Sequence, residues 1–392
     1  MTPATRPAPT MVADLCSITR YIMISLALQS TLLRHQHAID TALRETVNRI
    51  SVEAGVPALN AYYGQMQYHL GWVDAALVPT QSNPGKLLRP TLLLLAYEAA
   101  GAWGLAETAT TGNGYIERAL PAAVAIELTH NFTLIHDDIE DGDTERRHRP
   151  TLWKLWDVPQ AINTGDGIFS LARLALWGIL QQGVSGEIAA RLGAALDRAC
   201  LVLSEGQYLD INFETRQDIS VAAYLDMISR KTAALMACAA EMGARLGTSN
   251  QETIDRLRGF GHAMGVAFQV RDDMLGVWAS SAELGKTPAG DIYRRKKSLP
   301  VLHALEHASS HERLALHDIY SYEGALTTER VEEVLAIFQR TETREYCREF
   351  LRQQCRLAYE ALASVPHHAS PVSTRAIEDM ETMVRFVEEA IS

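Results

Sequence analysis

The sequence is short of cysteine, of net positive charge and of long apolar runs, and each shortage removes a class of protein. Its five cysteines, Cys16, Cys200, Cys238, Cys347 and Cys355, are widely scattered. No C-x-x-C pair occurs and no histidine stands at zinc spacing, which argues against a disulfide framework or a zinc site and for a reducing, cytoplasmic compartment. Lys and Arg total 36 against 47 Asp and Glu, a formal net charge of -11, so the general electrostatic footprint of a nucleic-acid binder is missing. Any basic cluster must therefore serve local anionic groups. No apolar run reaches ~18 residues without a charge, which argues against a transmembrane helix. The stretch 12–33 comes nearest, but it contains Asp14 and Arg20 and lacks the basic start and A-x-A site of a signal peptide.

Strand-like runs bounded by turn signals are also missing. From about residue 37 onward, apolar residues recur at helical spacing among Ala, Leu, Glu and Arg, so the expected fold class is all-α. Gly, Pro and small polar residues cluster at 79–85, 101–114, 142–159, 183–186, 247–251, 280–290 and 366–371, which leaves roughly a dozen helices between them. Without an internal repeat or a linker, residues 36–392 are expected to form one large helical domain, above the ~150 residues of an average one. Residues 1–35, with three prolines in the first ten, read as a poorly ordered or extra-helical extension.

What is present is charge at the ends of apolar helical patterns. Residues 127–150 run E-L-T-H-N-F-T-L-I-H-D-D-I-E-D-G-D-T-E-R-R-H-R-P, closing on Asp137, Asp138, Glu140, Asp141 and Asp143 and then on Arg146, Arg147 and Arg149. On a helix Asp137 and Asp141 are one turn apart with Asp138 beside them, so their carboxylates share a side and repel. Hard divalent cations are the usual remedy, and Mg²⁺ is typically held by one or two carboxylates plus substrate phosphates. The arginines beyond are planar forks suited to a diphosphate. Taken alone, the stretch also reads as a solvated acidic helix end before a basic loop.

Further signals follow along the chain. Gly85-Lys86-Leu87-Leu88-Arg89-Pro90 sets two cations about a turn apart at a helix start, where glycine lets the backbone approach an anion; ordinary surface cations would look the same. Asn163-Thr164-Gly165-Asp166-Gly167 puts small polar residues in an apolar helix, suited to close packing, with buried partners needed for Asn163 and Asp166. Gln207 and Asp210 share a helix face, and Lys231 with Thr232 offers a point charge and a hydroxyl. Phe268-Gln269-Val270-Arg271-Asp272-Asp273-Met274-Leu275-Gly276, followed by Lys286, Asp291 and Arg294-Arg295-Lys296-Lys297, repeats the first pattern. Two matched acidic helix ends could face each other across a cavity.

In order and spacing these motifs, from about residue 85 to 300, resemble the polyprenyl synthetase family, the head-to-tail isoprenyl diphosphate synthases such as farnesyl and geranylgeranyl diphosphate synthase. The resemblance implies the isoprenoid synthase fold, a helical bundle around a central cavity. It implies a homodimer that condenses an allylic diphosphate with isopentenyl diphosphate, with three Mg²⁺ ions, for which Mn²⁺ can substitute. Asp137, Asp138 and Asp141 match the first aspartate-rich motif, and Asp272 and Asp273 the start of the second, which together hold the metal. Gly85, Lys86, Arg89, His130 and Arg147 match the isopentenyl diphosphate site. Arg146, Lys231, Lys286 and Lys296 match cations around the allylic diphosphate. Thr232 and Gln269 match groups that steady the allylic cation, and Gln207 and Asp210 match the G-Q-x-x-D element beside the metals. The family reaction uses the released diphosphate as proton acceptor, in keeping with the lack of an isolated His or Glu suited to that task.

One departure stands out: Gly276 occupies the place of the second motif's final aspartate. It keeps open a class I terpene cyclase that ionises a single prenyl diphosphate, although Lys86, Arg89, His130 and Arg147 would then have no function. A regulatory subunit of a heteromeric synthase would show an eroded first motif, and here that motif is intact. Phe132, five residues before Asp137, with small Thr133 after it, resembles the geranylgeranyl pattern of tunnel floor. A C20 product is expected, with C15 and C25 open.

Overall fold

In the computed structural model, residues 9–80, 85–102, 115–279, 289–322, 324–366 and 370–389 are described, with side chains from residue 25. The expected helices are there. In chain order they are α1 (Pro9–Ala54), α2 (Asn60–His69), α3 (Leu88–Ala99), α4 (Leu120–Glu140), α5 (Leu152–Trp177), α6 (Gly186–Thr215), α7 (Val221–Ile228), α8 (Ala234–Gly247), α9 (Gln251–Trp278), α10 (Gly290–Tyr293), α11 (Leu299–His307), α12 (Ser310–Ser321), α13 (Thr328–Arg340), α14 (Thr343–Ala363) and α15 (Pro371–Glu389). Several start on side-chain caps: Ser185, Ser220 and Asn250 each accept a backbone N–H of the following first turn, and Ser309 with Glu312 makes a capping box.

From Pro90 to Ala99 helix α3 is buried on every side, as a mostly apolar helix must be. Leu92 and Leu95 join the core that contains α9 and α13 to α15. Leu93 and Leu94 join the core formed with α4 to α6. Helices α4 and α5 run against each other, and α8 lies between α3 and α9. This arrangement sets the acidic end of α4 near the start of α8 and near the acidic part of α9.

Three expectations change in detail. The boundary at residue 35 falls inside α1, which runs unbroken across it. Its Arg34 reaches Glu98 Oε2 at 2.5 Å and Asp379 Oδ2 at 3.1 Å, with Glu98 fully buried, so this part of α1 is tied to α3 and α15. An antiparallel hairpin, β1 (Glu145–Arg146) with β2 (Arg149–Pro150), interrupts the helices. Finally, Asn163 and Asp166 are exposed, and Thr164 is the buried polar residue, donating to Gln65 Oε1 at 2.7 Å. No helix among the described residues is long and apolar enough to cross a membrane.

Candidate active site

Helix α4 carries Asp137 and Asp138 in its last turn and ends on Asp141 as its cap residue. Carboxylates at that end oppose the helix dipole, which favours cations there. Cations are what surround them. Asp138 is 2% exposed and accepts from Arg146 Nε at 2.6 Å. Burial lifts its carboxyl to about 6 in spite of Arg146. The protein around Asp141, and then Asp137, push that carboxyl up to about 7. Lys231 Nζ bridges the cluster, 3.1 Å from Asp137 Oδ1 and 2.6 Å from Asp210 Oδ2. Burial acts to lower its pKa, but Asp137 and Asp210 outweigh it and hold the ammonium charged. Gln207 Nε2 donates to Glu140 Oε2 at 2.7 Å.

Lys231 and Thr232 sit in a π-helical segment, Ser229–Ala233, between α7 and α8. One wide turn of this kind re-aims side chains relative to a regular helix. It is made possible by Gly206 of α6: a Cβ there would lie 2.3 Å from the backbone nitrogen of Lys231. Thr232 Oγ1 donates to Gln269 Oε1 at 3.0 Å, and Gln269 Nε2 donates to Asp273 Oδ1 at 3.1 Å. The π segment thus links the two acidic helices, through Lys231 to Asp137 and through Thr232 to Gln269.

The paired aspartates of α9 differ sharply. Asp272 is exposed, with 64% of its side chain accessible, and Lys86 is among the charges acting on it. Asp273 is fully buried, and both its oxygens are taken: Oδ2 accepts from Tyr224 at 2.5 Å, while Oδ1 accepts from Gln269 and from Lys296 Nζ at 3.2 Å. Sequence reasoning missed Tyr224. Its signal was an aromatic hydroxyl in an apolar helix, one that needs a partner when buried.

The basic face is assembled from three segments. Gly85 has φ of 98°, a conformation open to glycine, and a Cβ there would fall 2.6 Å from Arg147 Nη2. Arg147 and His148 form the turn of the hairpin with φ of 54° and 60°. Such a two-residue turn usually takes Asn or Gly, so two bulkier residues there are strained. Arg149 anchors it, donating to the carbonyls of Tyr68 at 3.1 Å and Val73 at 2.7 Å. Arg89 Nη1 lies 3.0 Å from His130 Nε2. Burial, then Arg89 and Arg147, hold the imidazole well below its usual pKa, so it is neutral and accepts from Arg89. Glu127, also missed as a participant, is 3% exposed; burial raises its carboxyl while Arg89 and Arg147 act to keep it charged.

Phe132 meets Phe169 of α5 edge-to-face at 4.9 Å between centroids and His136 at 5.8 Å. Phe169 is a contact that the sequence reading did not single out. Lys286 lies outside the described residues. Among the described residues, no three His, Cys, Asp or Glu side chains form a closed metal site. A groove of about 1010 Å³ along α6, α8, α9 and α14 contains none of the predicted site residues.

The pattern of the polyprenyl synthetase family matches residues 71–338. The chain is 38% identical over 270 residues to a geranylgeranyl diphosphate synthase of Mycobacterium tuberculosis, covering 69% of this chain and 72% of that one. It is 40% identical to a (2E,6E)-farnesyl diphosphate synthase of Mycobacterium bovis over 62% of this chain and 64% of the relative. The fold is similar to the crystal structure of a polyprenyl synthetase from Streptomyces coelicolor A3(2), with a TM-score of 0.78 and 33% identity over 92% of this chain and 99% of the other.

Proposed function

The chain belongs to the polyprenyl synthetase family, and from that premise we infer how its residues divide the work. It is a head-to-tail prenyltransferase, joining an allylic diphosphate to isopentenyl diphosphate with release of diphosphate. It shares the family's dependence on a divalent metal.

The donor set suits such a metal. Asp137, Asp141 and Asp210 lie together around Lys231, and burial, then Asp137, raise the Asp141 carboxyl, while Asp272 stands exposed on α9. Mg²⁺ bound through one or two carboxylates at a time, with substrate oxygens completing the shell, needs no closed protein cage. We assign Asp137, Asp141 and Asp272 to holding the metal, as three Mg²⁺ ions or their Mn²⁺ substitutes, whose charge stabilises the departing diphosphate. Asp138, whose Oδ1 accepts from Arg146, and Asp273, bound by Tyr224, Gln269 and Lys296, fix the cations beside them. Arg146, Lys231, Lys296 and Lys286 bind the allylic diphosphate, with Gln207 and Asp210 bracing the metal side. Thr232 and Gln269 present oxygens to the allylic cation. Gly85, Lys86, Arg89, His130 and Arg147 take isopentenyl diphosphate. Its double bond attacks the allylic carbon as the C–O bond breaks, and the proton then lost passes to the released diphosphate.

The observation that carries this reading is the chain of contacts from Asp137 through Lys231 and Thr232 to Gln269, Asp273 and Lys296. It joins the two acidic helices through the π-helical segment, and the Arg146–Asp138 pair adds the basic hairpin to the same site. A one-substrate cyclase is not favoured, since Arg89, His130 and Arg147 would be idle in it. We place the product at C20, on the Phe132–Phe169 pair, and the enzyme in the cytoplasm as a homodimer. Incubation with Mg²⁺, isopentenyl diphosphate and each of the C5, C10, C15 and C20 allylic diphosphates tests this. Extension to a C20 diphosphate is expected; a hydrocarbon formed from the allylic diphosphate alone would sink it.

A further inference from the structure

Helix α9 carries Gly276 one turn after Asp272, and residues four apart share a helix face. A side chain at 276 would displace the Asp291 carboxylate. A Cβ would lie 2.2 Å from Asp291 Oδ2, 2.4 Å from its Cγ and 2.9 Å from Oδ1. The space is already filled by a carboxylate, delivered from another segment at the start of α10.

Asp291 is 5% exposed. Arg294 Nη2 donates to its Oδ1 at 2.7 Å, and Lys296 Nζ stands 3.8 Å from Oδ2. The same ammonium reaches Asp273 Oδ1 at 3.2 Å, so Asp291 belongs to the charge cluster of the second acidic motif. The residue before α10, Ala289, is held in the left-handed region at φ 54°, a conformation that costs an L-residue energy and turns the chain so that Asp291 meets α9.

We propose that Asp291 supplies the carboxylate that position 276 lacks, reaching through the space opened by glycine to position the second half of the metal-diphosphate site. This rests on the function proposed above. Gly276 is then a partner of Asp291 and not an eroded position, and aspartate restored at 276 is harmful: it collides with Asp291 and brings two like charges together.

Binding of Mn²⁺ in the presence of inorganic diphosphate, followed by electron paramagnetic resonance on the full chain, reads this apart from turnover. Asp291→Asn keeps the shape and removes the charge; it is expected to weaken Mn²⁺ binding about tenfold or more, the usual scale for a residue supporting metal ligands. Gly276→Asp alone is expected to weaken it similarly, whereas Gly276→Asp combined with Asp291→Gly recovers binding to within about threefold of wild type, the signature of coupled sites. Far-UV circular dichroism and melting confirm that each variant is folded. If folded Asp291→Asn binds Mn²⁺ as wild type does, or the double variant is no better than Gly276→Asp, the proposal is overturned. Wild type that shows no diphosphate-promoted Mn²⁺ binding would overturn the proposed function as well.

Discussion

Asp137 and Asp138 are neighbours, as are Asp272 and Asp273, yet the members of each pair differ: Asp138 and Asp273 are buried, whereas Asp137 and Asp272 keep accessible surface. Saturation by Tyr224, Gln269 and Lys296 leaves Asp273 little capacity for a metal. Tyr224→Phe removes one of these donors from a buried carboxylate, which should cost about 1–3 kcal/mol of stability, measured by denaturant unfolding. Arg89 sits on the other substrate's side. Arg89→Ala should raise KM for isopentenyl diphosphate about tenfold or more, the loss of roughly 1.4 kcal/mol or more of charge-assisted binding, with the allylic KM little changed. An effect confined to the allylic substrate would contradict the division of sites. The sequence displayed these residue types and their spacing, but not which aspartate of each pair turns inward. That depends on partners far along the chain, such as Tyr224 for Asp273 and Arg146 for Asp138.

At the scale of elements, local preferences are broken where the chemistry is. Helix α4 ends in carboxylates against its own dipole, the hairpin turn has two consecutive non-glycine residues at positive φ, and a π segment interrupts α7 and α8. Such conflicts belong at functional sites. The helices were legible because their period and breaks are local. The π segment was not, because a wide turn leaves no mark in composition; its trace is Gly206 on another helix. Gly206→Ala should therefore push the Lys231 backbone away and lower kcat by about tenfold or more, since small misplacements at a reacting centre are expensive, with circular dichroism unchanged. Phe132 and Phe169 pack edge-to-face between α4 and α5. Phe132→Ala should shift products beyond C20, read by chromatography of the dephosphorylated alcohols; an unchanged product length would remove Phe132 from that role.

Over the whole molecule, large apolar side chains lie exposed at helical spacing on α5 and just beyond it, among them Leu174 at 55%, Trp177 at 49% and Leu180 at 46%, and on α6 Leu201 at 63%. In the homodimer proposed above a second copy would cover these side chains, so Leu174→Asp with Trp177→Asp should lower the mass seen by light scattering from that of a dimer to that of a monomer. The two acidic helices come from distant parts of the chain, and their convergence was the expectation that mattered most. It follows from α3 and α8, apolar helices that fill the interior and hold α4 and α9 in register. Carboxylates at the end of α4 would hold the metal whose charge stabilises the departing allylic diphosphate. The most direct test is the rate of isopentenyl diphosphate incorporation by Asp137→Ala against wild type at saturating Mg²⁺ and substrates. A fall of roughly hundredfold or more, about 3 kcal/mol of barrier, is expected in a protein that melts normally; near-normal turnover would show that Asp137 holds no catalytic metal.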